Sequence, residues 1–186
     1  MPFPTAQLKK RAALIRYFLF DVDGVLSDGN IIHSVSVKGK TVRQTETKTF
    51  FVRDGYALKA AMKMGFGVGL LSARDSLVTA HRARELGIED CIQARHDKAA
   101  AFAELLRDKK MRAEEIAYMG DDLVDLPVLR VAGLSAAPGD AHREVLGEVH
   151  YIARAAGGHG AAREWFEQVL QWRGEYARFV ALAAGG

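Results

Sequence analysis

With one cysteine, Cys91, the chain can form no internal disulfide and no cysteine-cluster metal site. Cys91 falls in a short apolar segment and reads as packing. No apolar run approaches the length needed to cross a bilayer. The N-terminal stretch around Leu8-Lys9-Lys10-Arg11 lacks the apolar centre of a signal peptide, so the expected location is the cytoplasm, with no membrane partner. Charge of one sign is also scarce. The net charge is +3 over 186 residues and the basic residues are scattered, which argues against nucleic acid as a partner. There is no internal repeat, no low-complexity tract and no interdomain linker. What remains is an ordinary globular composition, 49% apolar and 26% charged, long enough for one domain with a substantial core.

The chain is organised around Tyr17-Phe18-Leu19-Phe20-Asp21-Val22-Asp23-Gly24. An apolar run of strand formers ends abruptly in two carboxylates two residues apart, as a buried parallel strand does where it opens into a loop. Ligands bind at that end of the strands in open α/β sheets. Two aspartates there crowd negative charge, which is costly unless a cation sits between them.

Before this strand, residues 5–16 carry a short amphipathic helical pattern. After it, two β-rich runs around Lys38-Gly39-Lys40 predict a polar, projecting hairpin at about residues 30–52. Asp54 then reads as the cap of a helix that runs to about Met64. Strands near 68–72, 91–92, 116–120, 133–136 and 151–152 alternate with helices near 75–86, 97–109, after 122, from 140 and over 161–173. That alternation predicts βαβ units, hence an α/β fold with a mainly parallel sheet flanked by helices.

Four clusters fall at strand ends. Asp21 could attack phosphorus as a carboxylate nucleophile, and Asp23 could protonate the departing alkoxide and then deprotonate water. Ser72 could hydrogen-bond a phosphate oxygen. Lys98 could neutralise the phosphoryl group. Gly120-Asp121-Asp122-Leu123-Val124-Asp125 brings three carboxylates to one strand end and could complete an oxygen-ligand magnesium site. Each has a plain alternative on its own. Asp-x-Asp occurs in loops and caps, Ser72 could cap a helix, Lys98 could be a solvated first-turn lysine, and Asp121 or Asp122 could cap. A cap needs one acid, however, not three.

In their order, the four clusters resemble the motifs of the haloacid dehalogenase superfamily. The resemblance implies a Rossmann-like sheet, Mg2+ and an aspartyl-phosphate intermediate. By it Asp21 is nucleophile and metal ligand, and Asp23 is acid/base and binds metal through its backbone carbonyl. Asp121 is the remaining protein ligand, with Asp122 and Asp125 supporting the site. The hairpin and one helix use up the stretch between Asp23 and Ser72, so no cap domain fits. Residues 1–186 then read as a single hydrolase domain, with the C-terminal helix and tail at about 158–186.

Narrower likeness lies in Asp21 to Gly29, Val52-Arg53-Asp54-Gly55-Tyr56, Gly120 to Asp125 and Ala156-Gly157-Gly158-His159-Gly160-Ala161-Ala162-Arg163-Glu164. These are similar to 3-deoxy-D-manno-octulosonate 8-phosphate phosphatases, which are capless homotetramers serving lipopolysaccharide synthesis. The resemblance implies that Arg53, Asp54 and Gly55 line the substrate pocket, with Lys59 a turn further on, and that Arg74 and Arg82 hold a phosphorylated sugar acid. Three features depart from the family pattern: Ser72-Ala73-Arg74 for Thr-Gly-Arg, His159 for arginine, and a longer, more polar hairpin with Lys38, Lys40, Arg43 and Lys48. Arg74 stands where phosphatases of nine-carbon nonulosonate 9-phosphates carry glutamate, which favours the eight-carbon acid. A non-catalytic oligomeric regulatory domain is the alternative of another class. The filled catalytic positions rank it last.

Overall fold

The computed structural model describes residues 5–185. The helix α1 (Thr5–Leu14) leads into β1 (Tyr17–Phe20), followed by the hairpin strands β2 (Ile32–Lys38) and β3 (Thr41–Thr47). Then come α2 (Val52–Lys63), β4 (Gly67–Leu71), α3 (Leu77–Leu86), β5 (Asp90–Ile92) and α4 (Lys98–Lys109). The second half adds β6 (Ile116–Met119), α5 (Leu126–Leu129), β7 (Leu134–Ala137), α6 (Arg143–Leu146), β8 (Tyr151–Ile152), α7 (Ala161–Arg173) and α8 (Tyr176–Ala183).

Six strands form one sheet in the order β5-β4-β1-β6-β7-β8, and every pairing is parallel. Strand alternation divides the core in two. Phe18 and Phe20 face a cluster with Val68, Leu70, Met119, Trp165 and Phe166, while Tyr17 and Leu19 face Leu71, Tyr118, Phe102 and Leu105. Both faces are covered, so β1 is apolar at every position. Each fully buried phenylalanine contributes about 1.5–3 kcal/mol relative to exposure. Phe18 and Phe166 also meet edge to face at 5.3 Å. Trp165 and Phe166 are core residues of α7, as helical spacing suggests.

The element reading holds with local corrections. The hairpin forms in register from Ile32↔Thr47 to Lys38↔Thr41, and both strands lie almost wholly in solvent. Asp54 does not cap α2. The helix begins at Val52 because the extended residue is Phe51, and Asp54 is buried inside its first turn. The helix after β4 starts at Leu77, later than the acid at position 75 suggests, because Ser76 is its N-cap and accepts from Thr79 N at 3.2 Å. The helix expected from Asp140 begins at Arg143. The C-terminal tail contains α8, whose Phe179 is buried against Phe166. Among the described residues no helix is long and apolar enough to cross a membrane.

Candidate active site

The crossovers from β1 run to one side through β4 and β5, and those from β6 to the other. The switch between directions therefore lies at the carboxyl ends of β1 and β6, where open α/β sheets take their ligands. Phe20 pairs with Met119 and with Leu70, so the residues that follow these three strands reach the same level. They include Asp21, Gly120-Asp121 and Ser72. Asp21 N donates to Met119 O at 2.9 Å, which extends the β1–β6 ladder into the site.

Carboxylate oxygens of Asp21, Asp121 and Asp125 lie within 4.8 Å of one another. The approach requires a glycine after Asp23. Gly24 has φ +86, and an added Cβ would stand 2.1 Å from Asp121 Oδ2. Lys98 opens α4 above this cluster and is buried, not solvated. Its Nζ lies 2.9 Å from Asp21 Oδ1 and 2.6 Å from Asp125 Oδ1.

Burial pushes the Asp21 carboxyl above its usual range, and the charge of Asp125 adds to the rise against the pull of Lys98. Asp121 is raised by burial and then by Asp21 and Asp125. Burial works to lower Lys98, but Asp21 and Asp125 outweigh it and hold the ammonium charged. Three carboxylates around one ammonium leave an excess of negative charge that a divalent cation would balance.

The oxygens divide into used and available ones. Asp125 is saturated: Oδ1 accepts from Lys98 Nζ and Tyr118 OH, and Oδ2 from the amides of Asp121 (3.0 Å) and Asp122 (3.2 Å). Asp121 Oδ1 is buried with no hydrogen-bond partner. An orphaned carboxylate oxygen beside Asp21, with all donors hard oxygens, fits Mg2+. Asp21 and Asp121 have the free valence to hold it, and Asp125 buttresses both the lysine and the loop. Asp122 is exposed and caps the short turn over Leu123–Asp125.

Ser72 is buried but does not cap α3. Its Oγ accepts from Arg74 N at 3.1 Å, which leaves the hydroxyl proton for another oxygen. Asp23 Oδ1 accepts from Lys48 Nζ at 2.6 Å, and Arg74 Nε stands 3.6 Å from Asp23 Oδ2.

The other expected substrate residues sit elsewhere. Asp54 accepts from Gly160 N at 3.1 Å and Arg163 N at 2.8 Å, so it caps α7 across the fold. Burial raises its carboxyl to about 6, against the lowering effect of those two amides. Arg53 lies over the Phe51 ring in a cavity of about 410 Å³ shared with Arg154, His159 and Arg163. Arg82 stacks on Phe50, pairs with Glu85 at 2.9 Å and covers Gly55, whose added Cβ would come within 2.3 Å of Nη2. Lys59 is on the exposed face of α2. Of these candidates Arg74 is the one with a contact to the acidic loop.

Two contacts have no signal in the motif pattern. Lys48 reads as one more polar hairpin lysine, and Tyr118 as a core aromatic of β6. Only the Glu46-x-Lys48 spacing just before an apolar pair hints that the hairpin's end turns inward.

Residues 73–164 match a family model described as haloacid dehalogenase-like hydrolase. A 3-deoxy-D-manno-octulosonate 8-phosphate phosphatase from Yersinia pestis is 40% identical over 161 residues, which is 87% of this chain and 82% of that protein. The protein of that name from Escherichia coli K12 is 37% identical over 171 residues, 92% of this chain and 87% of its own length. The crystal structure of the Moraxella catarrhalis phosphatase, in complex with magnesium ion, phosphate ion and a KDO molecule, superposes with a TM-score of 0.86. It is 35% identical and covers 95% of this chain and 97% of that one. By sequence, fold and the carboxylate cluster between β1 and β6, the chain belongs to the 3-deoxy-D-manno-octulosonate 8-phosphate phosphatase family of haloacid dehalogenase-like hydrolases.

Proposed function

We propose that this protein hydrolyses 3-deoxy-D-manno-octulosonate 8-phosphate to the free sugar acid and phosphate, with Mg2+. The observation that carries the reading is the meeting of Asp21, Asp121 and the buried Lys98 at the switch point of the sheet.

Asp21 Oδ attacks phosphorus while the bond from phosphorus to the sugar oxygen breaks, and Asp23 gives that oxygen its proton. Water then attacks phosphorus, the bond to Asp21 breaks, and Asp23 takes the water's proton back. Lys98 holds Asp21 in place and offsets charge on the phosphoryl oxygens, and Ser72 donates its hydroxyl to one of them. Asp21, Asp121 and the Asp23 backbone carbonyl would hold Mg2+, which would supply charge stabilisation for the transferred group. Asp125 and Asp122 fix the loop that carries Asp121. Arg74 is the first choice for recognising the sugar carboxylate. Arg53, Asp54, Gly55, Lys59 and Arg82, which lie away from the acidic loop, enter the reading as parts of the wall built by α2 and α3 and not as direct substrate ligands.

The same reading makes the protein a cytoplasmic homotetramer that feeds lipopolysaccharide synthesis. Its support is the hairpin, where Ile32, Val35, Val37 and Val42 are all more than half exposed, an apolar surface suited to a neighbouring subunit.

The test is phosphate release with magnesium across eight- and nine-carbon keto-acid phosphates and simple sugar phosphates. Preference for the eight-carbon ester is expected, lost on chelation and in Asp21→Asn. Preference for a nine-carbon ester would move the substrate, and no turnover on any ester would overturn the reading.

A further inference from the structure

Lys48 lies one residue beyond β3, and none of the chemistry above uses it. Its side chain is 0% exposed, on a hairpin that is otherwise solvated. Nζ stands 2.6 Å from Asp23 Oδ1, 3.4 Å from Thr79 Oγ1 and 3.7 Å from Glu46 Oε1. Glu46 accepts from Ser76 Oγ at 2.8 Å, and Ser76 is the N-cap of α3. The base of the hairpin is thus latched onto the first turn of α3, and the latch delivers one ammonium to Asp23. Burying an ammonium is a poor way to gain stability, because desolvation offsets most of the attraction. A buried lysine aimed at one carboxylate oxygen calls for another use.

The two oxygens of Asp23 differ. Oδ1 accepts from Lys48 Nζ and from Ser27 Oγ at 3.3 Å. Oδ2 is buried without a hydrogen-bond partner, with Arg74 Nε at 3.6 Å. We propose that Lys48 is a positioning residue for the reaction: it pins Oδ1 so that Oδ2 faces the substrate oxygen and exchanges the proton. The hairpin then serves the site of its own chain, whatever its tip does. This rests on the acid/base role of Asp23 in the proposed function. In the first step the proton leaves Oδ2 for the sugar oxygen as its bond to phosphorus breaks. In the second, a water proton returns to Oδ2 as the water oxygen bonds to phosphorus and Asp21 is released.

Leaving-group dependence tests the idea. A sugar alkoxide needs the proton to depart, whereas p-nitrophenolate does not, and kcat/KM reports the step that forms the aspartyl-phosphate. Lys48→Met, Lys48→Arg, Glu46→Gln and Asp23→Asn are compared with the wild type on the sugar phosphate and on p-nitrophenyl phosphate, with thermal melts for each. Lys48→Met is expected to lose about 10- to 100-fold on the sugar phosphate, the scale of a misplacement near 1 Å. On the aryl ester it should lose at least about tenfold less, because that ester is indifferent to general-acid help. Lys48→Arg should recover part of the loss. Glu46→Gln keeps Lys48 but loosens the latch, so it should show the same bias more weakly, and it carries the test if Lys48→Met fails to fold. Equal losses on both esters, or none, in a folded variant would overturn the proposal. Inactivity of the wild type on every ester would overturn the phosphatase reading instead, and an unbiased Asp23→Asn would remove the acid/base role. In either of those cases the proposal falls with the premise.

Discussion

Replacing Gly157 with alanine would place a methyl group 1.8 Å from Gly24 O, in the loop that follows the nucleophile. An ordinary carbon–oxygen contact needs roughly 3.3 Å, so the two backbones must part by about 1.5 Å. Neither side is free to give. Gly24 already sits at φ +86 under Asp121, and Gly157 N donates to Asp140 Oδ1 at 2.9 Å. Gly158 N donates to Val25 O at 2.8 Å and ties the two loops together. Overpacking costs about 1–3 kcal/mol and one strained or lost hydrogen bond about 0.5–1.5 kcal/mol. The sum, about 1.5–4.5 kcal/mol, corresponds to a Tm lower by about 3–18 °C in a chain of this size. The displacement bears on the loop carrying Asp23, and misplacement near 1 Å costs about 100-fold in kcat. Gly174→Ala is the control. It pays about 1–2 kcal/mol of left-handed strain at φ +74, meets nothing within 4 Å, and should leave kcat unchanged. Phosphate release at saturating substrate and thermal melts measure both. If Gly157→Ala kept wild-type kcat, the 156–160 loop would not be what holds the nucleophile loop in place.

Asp54→Ala should lower the Tm of the ligand-free protein, because it strips α7 of its cap and leaves the Gly160 and Arg163 amides unpaired. Cap removal costs about 0.5–2 kcal/mol and an unpaired buried donor about 1–3 kcal/mol. Part of this is returned because the buried carboxyl is hard to ionise, so the net is about 1–3 kcal/mol. A raised KM with unchanged Tm would make Asp54 a substrate ligand and nothing more. The contribution of His150 to stability should fall as pH is lowered from 6.5 towards 4, against the opposite effect of the raised carboxyls of Asp54, Asp21 and Asp121. His150, whose Nδ1 accepts from Ser135 N at 3.1 Å, is lowered to about 4 by burial and by Arg11. Between those values the unfolded chain binds the proton and the folded one does not, so acid favours unfolding. After allowance for partial exposure the loss is about 1–2 kcal/mol. On going from pH 7 to 4.5 the urea midpoint of His150→Asn should shift in favour of the folded state relative to the wild type, and an unchanged pH dependence in that variant would refute the assignment.

Much of the site was legible because each piece is announced within a few residues of itself. Tyr17 to Phe20 is apolar at every position, so its burial on both faces and its carboxyl-end loop follow from the run alone. Asp97 caps the helix expected to begin there, whereas the cap of α3 is Ser76, which the reading from Ser72 and Asp75 passed over. Asp21, Ser72, Lys98 and Asp121 each stand at or just beyond a strand end, and in a parallel sheet those ends share one edge. Periodicity and chain order therefore bring them together before any contact is known.

Contacts between segments distant in sequence were not announced. Asp54 looks like a cap and is one, but for a helix 106 residues further on, because packing of α2 against α7 decided which amides it met. Lys48 and Lys38 are alike as residues of a polar hairpin. Only the docking of β3 against α3 buries one beside Asp23 and leaves the other in solvent. What the glycines at 24 and 157 make room for, the Asp121 carboxylate and the backbone of Gly24, comes from segments far along the chain and follows from no local rule. The sequence by itself determined the elements, their order and the sheet edge that carries the chemistry, because hydrophobic period and capping act over one or two turns. Which acid is pinned, which amides are capped and which lysine is buried were decided by tertiary structure, where close packing selects partners that no spacing along the chain encodes.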